Sequence, residues 1–138
     1  MIKKLLVAYD GSEQAGKAFD FALDIASKHS ADIIVLSVVR PPEPPEAVEM
    51  EAVLESATDY YEEQFTALKE KARDQGIVPR FEVRVGHPAD QIVHRANEES
   101  VDMIVMGHRG KSLVQRWLLG SVSKRVLSYA HCTVSIVR

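Results

Sequence analysis

Apolar positions follow two rhythms along this chain. Compact apolar runs at Leu5–Ala8, "DIIVLSVV" (32–39), "VDMIVMG" (101–107) and "TVSIVR" (133–138) read as strands, the first and third of them buried. A further run, "PRFEVRVG" (79–86), alternates Phe81, Val83 and Val85 with Glu82 and Arg84, the pattern of a half-exposed edge strand. Between the strands the spacing changes to three and four. Ala15, Ala18, Phe19, Ala22 and Ala26 define a helix that ends near Ser30, entered through the Gly11-Ser12 turn with Ser12 as a plausible N-cap. Met50, Leu54, Ala57, Tyr61, Phe65, Leu68 and Ala72 make one continuous stripe, closed at Gly76. Pro88 opens a short helix with Ala89, Ile92, Val93 and Ala96 inward, and from about Gly120 a last helix carries Val122, Val126, Leu127 and Ala130.

Strands that alternate with helices predict one α/β domain with a parallel sheet and crossover helices. The proline-rich "RPPEPPE" (40–46) is stiff and extended. It reads as a loop and not a domain boundary, because neither flank would own a complete core. In such sheets ligands bind beyond the carboxyl ends of the strands. Two of those ends stand out here, "AYDGS" (8–12) and Met106-Gly107.

Composition fits this picture. The chain has 138 residues, 46% hydrophobic and 27% charged, about one soluble domain. Its single cysteine, Cys132, excludes an internal disulfide and a cysteine-based zinc site, and reads as a small hydrophobe. The apolar run at the N-terminus breaks at Asp10, too early for a secretory h-region, and no run approaches the length of a membrane span. The expected location is the cytoplasm, with no membrane partner. Charge is divided unevenly. Residues 1–106 hold 11 Lys+Arg against 20 Asp+Glu, whereas residues 107–138 hold six basic residues and no acid. A basic block of this kind suits either an anion site or a solvated helix face. The acidic remainder argues against a nucleic-acid partner.

The basic block opens with "GHRGKSLVQRWLLGSVS" (107–123), and three phosphate motifs compete for it. A Walker A loop needs its leading glycine at 105, where Val105 stands in a strand, so that reading fails. No dinucleotide GxGxxG exists either, since Gly11 and Gly16 are too far apart. What fits is GxxG, nine residues, then G[ST]: Gly107-His108-Arg109-Gly110, residues 111–119, then Gly120-Ser121. The first two glycines would let the backbone turn sharply after a strand and expose N–H groups to an anion. The third would open a helix whose N-terminal N–H groups, with the Ser121 and Ser123 hydroxyls, suit phosphate oxygens. Leu113, Trp117, Leu118 and Leu119 between them would pack the loop closed.

With this motif the chain resembles the universal stress protein family along essentially its whole length. "LLVAYDGSEQAGKAF" is similar to the family's first strand and helix entry, "VLSVVRP" to its second strand, and "VRVGHPADQIVHRANEESVDMIVMGHRG" to the region from its third to its fourth strand. The glycine spacing resembles that of the family's ATP-binding branch, and "GSVSKRVLSYAHCTVSIVR" its final helix and strand. Thr133 stands where the family commonly has proline. The resemblance implies an open, Rossmann-like parallel five-stranded sheet of the adenine nucleotide alpha hydrolase type, strand order 3-2-1-4-5, with helices on both faces. It also implies a bound adenine nucleotide, ATP or else ADP or AMP. Asp10 would contact the ribose hydroxyls. Ala8 and Val38 would line the adenine pocket, Val38 through its backbone, Tyr9 would be among the nucleotide-binding residues, and Met106 would lie against base or sugar. Gly107, His108, Arg109, Gly110, Gly120, Ser121, Val122 and Ser123 would surround the phosphates. Mg²⁺ or Mn²⁺ would be held through those phosphates and not by protein side chains. The last strand, Thr133, Val134, Ser135, Ile136 and Val137, would pair with its copy in a homodimer.

Plainer roles stand beside these. Asp10 could cap the first turn, Arg109 and Lys111 could be solvated charges, and His108 could contribute only its backbone. Trp117 reads as loop packing, and His87 lies outside the helix that carries His94, so the two make no metal pair. The expected function is that of a nucleotide-dependent stress-response regulator with at most slow ATP hydrolysis and a signalling partner that the sequence does not name. A nucleotide-independent dimeric interaction module of the same fold is the alternative. A phospho-receiver domain is excluded, because the strand ending at Val85-Gly86 offers no aspartate and Tyr9 stands where a second acid is needed.

Overall fold

The computed structural model describes residues 1–41, 47–108 and 119–138. Arg109, Gly110, Lys111, Leu113, Trp117 and Leu118 lie outside the described residues, as does most of the proline-rich connector. In chain order the described elements are β1 (Lys4–Ala8), α1 (Glu13–His29), β2 (Asp32–Val39), α2 (Ala47–Arg73), β3 (Arg80–Val85), α3 (Pro88–Glu98), β4 (Met103–Gly107), α4 (Ser121–Tyr129) and β5 (Thr133–Val137). The five strands are parallel in the order β3-β2-β1-β4-β5, as expected, with β3 at one edge and β5 at the other.

Both faces of the sheet are covered, which is why the central strands read as unbroken apolar runs. Successive residues point to opposite faces. Leu5, Val7, Ile33, Val35 and Val105 pack with Phe19, Leu23 and the alanines of α1, and with Leu68 and Ala72 of α2. Leu6, Ile34, Leu36, Ile104 and Met106 pack with Ala89, Ile92 and Ala96 of α3 and with Val126 of α4. Leu6 lies between Ile34 and Ile104 in register, so each face continues unbroken across β2, β1 and β4. β3 carries the predicted half-exposed edge, with Phe81 turned toward the α1/α2 face.

The helix ends follow local chemistry. Ser12 Oγ accepts a hydrogen bond from the Ala15 N–H at 3.1 Å and caps α1. Beyond α2, Gly76 takes a left-handed φ of 71°, and the Ile77 N–H returns to the Ala72 carbonyl at 3.0 Å.

Candidate functional site

At the carboxyl ends of β1, β2 and β4 the chain leaves the sheet in three directions, and a cleft opens between them. Its walls are Ala8, Tyr9, Asp10, Ser12 and Ala15 from the β1–α1 region, Leu36, Val38 and Arg40 from β2 and just beyond, and Pro88 and Ile92 from α3. Met106 and Gly107 of β4, with Gly120, Ser121, Val122 and Ser123 at the start of α4, complete it.

The β1 side is held by a chain of polar contacts. Asp10 Oδ1 accepts the Ser12 N–H at 3.0 Å, turning the backbone so that Ser12 caps α1. The carboxylate therefore has the capping-turn role, and it also faces the cleft. Ser37, fully buried on β2, donates its hydroxyl to the Tyr9 carbonyl at 2.6 Å and ties the β1 exit to its neighbour. The Tyr9 phenol leans toward α2, where its hydroxyl donates to Gln64 Oε1 at 3.3 Å and its ring meets Tyr61 and Phe65. Burial, and then the charge of Asp10, raise the pKa values of Tyr9 and Tyr61 above that of a free phenol, so both stay protonated.

β2 runs past the end of β1. The Tyr9 N–H donates to the Leu36 carbonyl at 2.9 Å, and the β1–β2 register ends at Ala8 opposite Leu36. Peptide groups alternate sides along a strand, so those of Val38 face the same way as those of Leu36, toward the cleft above β1.

On the β4 side the chain approaches α1 closely. A Cβ added to Gly107 would lie 2.5 Å from the carbonyl carbon and oxygen of Gln14. This corrects the expected reason for that glycine. Gly107 is the last residue of β4, and what it supplies is space for the first turn of α1, not a sharp turn. The His108 N–H donates to the Val137 carbonyl at 2.7 Å and its side chain is buried, so it extends the β4–β5 ladder and stands apart from the described lining of the cleft. Gly120 is the N-cap of α4 and makes no side-chain capping bond. The first turn of α4 thus directs backbone N–H groups, the exposed Ser121 and the buried Ser123 into a wall of the cleft.

Of the residues expected at the site, Ala8, Tyr9, Asp10, Val38, Met106, Gly107, Gly120, Ser121, Val122 and Ser123 line this one cleft. Arg109 and Gly110 lie outside the described residues.

The universal stress protein family model matches residues 1–138, the whole chain. The chain belongs to the universal stress protein family. The universal stress protein YxiE of Bacillus subtilis is 34% identical to it, with the alignment covering all of both chains. Among solved structures, universal stress protein UspA from Lactobacillus plantarum superposes with a TM-score of 0.83 at 25% identity, covering 99% of this chain and 98% of the other. A universal stress protein solved in complex with cAMP aligns with a TM-score of 0.71 at 25% identity, over 99% of this chain and 97% of its own.

In this universal stress protein the cleft also holds residues that sequence motifs did not single out: Ser12, Ala15, Leu36, Arg40, Pro88 and Ile92. Ser12 and Pro88 carried signals as helix-start residues, and Leu36 and Ile92 as core positions. Arg40 carried none, because only the tertiary fold brings the end of β2 against the start of α3.

Proposed function

We propose that the cleft binds an adenine nucleotide, ATP or else ADP or AMP, and that the protein acts as a nucleotide-dependent stress-response regulator with little or no hydrolysis. The observation that carries this reading is the division of the cleft into two unlike ends. On the β2 side its lining is apolar, with Leu36, Val38 and Ile92. On the β4 side stand the N-terminus of α4 and its two serines. β2 and β4 flank β1, so the two ends are separated by roughly 10 Å, two strand spacings. A flat base suits the first end and phosphate oxygens the second. Asp10, at the end of β1 between them, supplies a carboxylate acceptor for ribose hydroxyls. The related universal stress protein solved with cAMP supports an adenine ligand.

Mg²⁺ or Mn²⁺ would enter on the phosphates, with the α4 N-terminus and its serines facing the same group. Phosphoryl transfer needs a group that orients the nucleophile beside the terminal phosphate. The α4 serines bind the phosphates and do not activate a nucleophile, so the nucleotide is retained and not turned over. For assembly, β5 offers an edge suited to pairing with a second copy, which would make the protein a homodimer.

The test is native mass spectrometry of the protein incubated with equimolar ATP, GTP, CTP and UTP and Mg²⁺. Selective retention of ATP on a dimer is expected. Retention of none overturns the nucleotide reading and leaves the interaction module; retention of all four alike overturns the selectivity for adenine.

A further inference from the structure

Resting on that reading, we infer that Arg40 is a binding contact for the nucleobase, its guanidinium stacking on the aromatic face at the apolar end of the cleft. Leu36 and Val38 belong to the apolar cluster on the α3/α4 face, and Arg40 follows at the same period-two spacing. It therefore continues their wall past the end of the sheet. Leu36 is buried, Val38 half-buried and Arg40 exposed, so the guanidinium stands at the mouth of this end of the cleft. Across from it lie Pro88 and Ile92 of α3. Arg40 Nη1 is 3.4 Å from Nδ1 of His87, the N-cap of α3, which places the side chain beside that wall.

The neighbours decide what such a cation can serve. The cleft lining contributed by β2 and α3, Leu36, Val38, Pro88 and Ile92, is apolar, and the α4 N-terminus that suits phosphate lies on the far side of β1. A planar guanidinium beside apolar walls is suited to stacking on a flat π-system, to which it is also attracted electrostatically. The contact therefore belongs to the base, and its contribution is independent of how many phosphates follow.

The experiment compares the affinities of wild type and Arg40→Ala for adenosine, AMP and ATP by calorimetry, with thermal unfolding to check that the fold is retained. All three ligands are expected to weaken by one common factor, roughly threefold to tenfold. A loss that grows from adenosine to ATP overturns the proposal and makes Arg40 a phosphate contact. Unchanged affinities overturn it too and make Arg40 a solvated charge. If wild type binds none of the three ligands, the nucleotide reading itself fails, which is distinct from either of those results.

Discussion

Gly107 and Gln14 approach so closely that a single added methyl group at Gly107 would stand 2.5 Å from the Gln14 main chain. The contact joins the end of β4 to the first turn of α1, the turn that Ser12 caps and Asp10 braces. Gly107→Ala is therefore expected to destabilise the protein by roughly 1–3 kcal/mol, as overpacking does, and to weaken nucleotide binding by displacing that turn. Denaturant unfolding and calorimetry measure the two effects. Full stability with full binding would show that α1 shifts without consequence.

Asp10 has a structural and a proposed ligand role, and one substitution separates them. Asp10→Asn keeps an oxygen to accept the Ser12 N–H. The fold should survive with little loss of stability. The charged acceptor for the ribose is removed, and ATP affinity is expected to fall about tenfold, the scale of a charge-assisted hydrogen bond. The informative comparison is ATP with 2′,3′-dideoxy-ATP. Wild type should prefer ATP, and the variant should prefer it by a smaller factor. An undiminished preference in the variant would place the ribose elsewhere.

Acid sensitivity is expected to arise at the opposite end of the sheet. Hydrogen bonds from Arg80 and Lys4 pull the Glu99 pKa from 4.5 down to about 2, and Arg95 adds an ion pair at 2.7 Å. Asp102 is lowered likewise, by the backbone N–H groups of Lys3 and Lys4. A carboxyl with a depressed folded-state pKa stabilises the fold above its unfolded value and ceases to do so as pH falls through the folded one. Stability should therefore decline between about pH 4.5 and pH 2. Glu99→Gln should flatten that decline while leaving ATP affinity at pH 7 unchanged. Thermal unfolding across this range checks it, and an equally steep decline in the variant would assign the sensitivity to other groups.

The proposed dimer can be tested on the outer edge of β5. The His108 N–H donates to the Val137 carbonyl, so Thr133, Ser135 and Val137 direct their peptide groups toward β4. Those of Val134 and Ile136 face outward. Val134→Pro removes an outward N–H and leaves the inner ladder intact. Sedimentation should show a dimer for wild type and a monomer for the variant. A dimeric variant would locate the interface away from this edge.

Much of this was legible in the sequence because local and global signals agree. The unbroken apolar runs of β1, β2 and β4 reflect a sheet covered on both faces, and the alternation of Phe81, Val83 and Val85 reflects the exposed edge at β3. Asp10, Val38 and Gly120 all line the cleft: Asp10 stood out just past the end of the first strand, Gly120 through the glycine spacing, and Val38 only through the resemblance to the family. What escaped depends on contacts between distant segments. Nothing around Gly107 in the sequence shows that Gln14 lies against it, and nothing at His108 shows that Val137 takes its N–H. Arg40 looks like the first residue of a polar connector until α3 closes beside it.

The central claim is that the cleft between β1, β2 and β4 holds an adenine nucleotide, and its most direct test is calorimetric titration of nucleotide-stripped protein with ATP and Mg²⁺. Saturable heat with one nucleotide bound per chain is expected. No heat at high micromolar protein would contradict it.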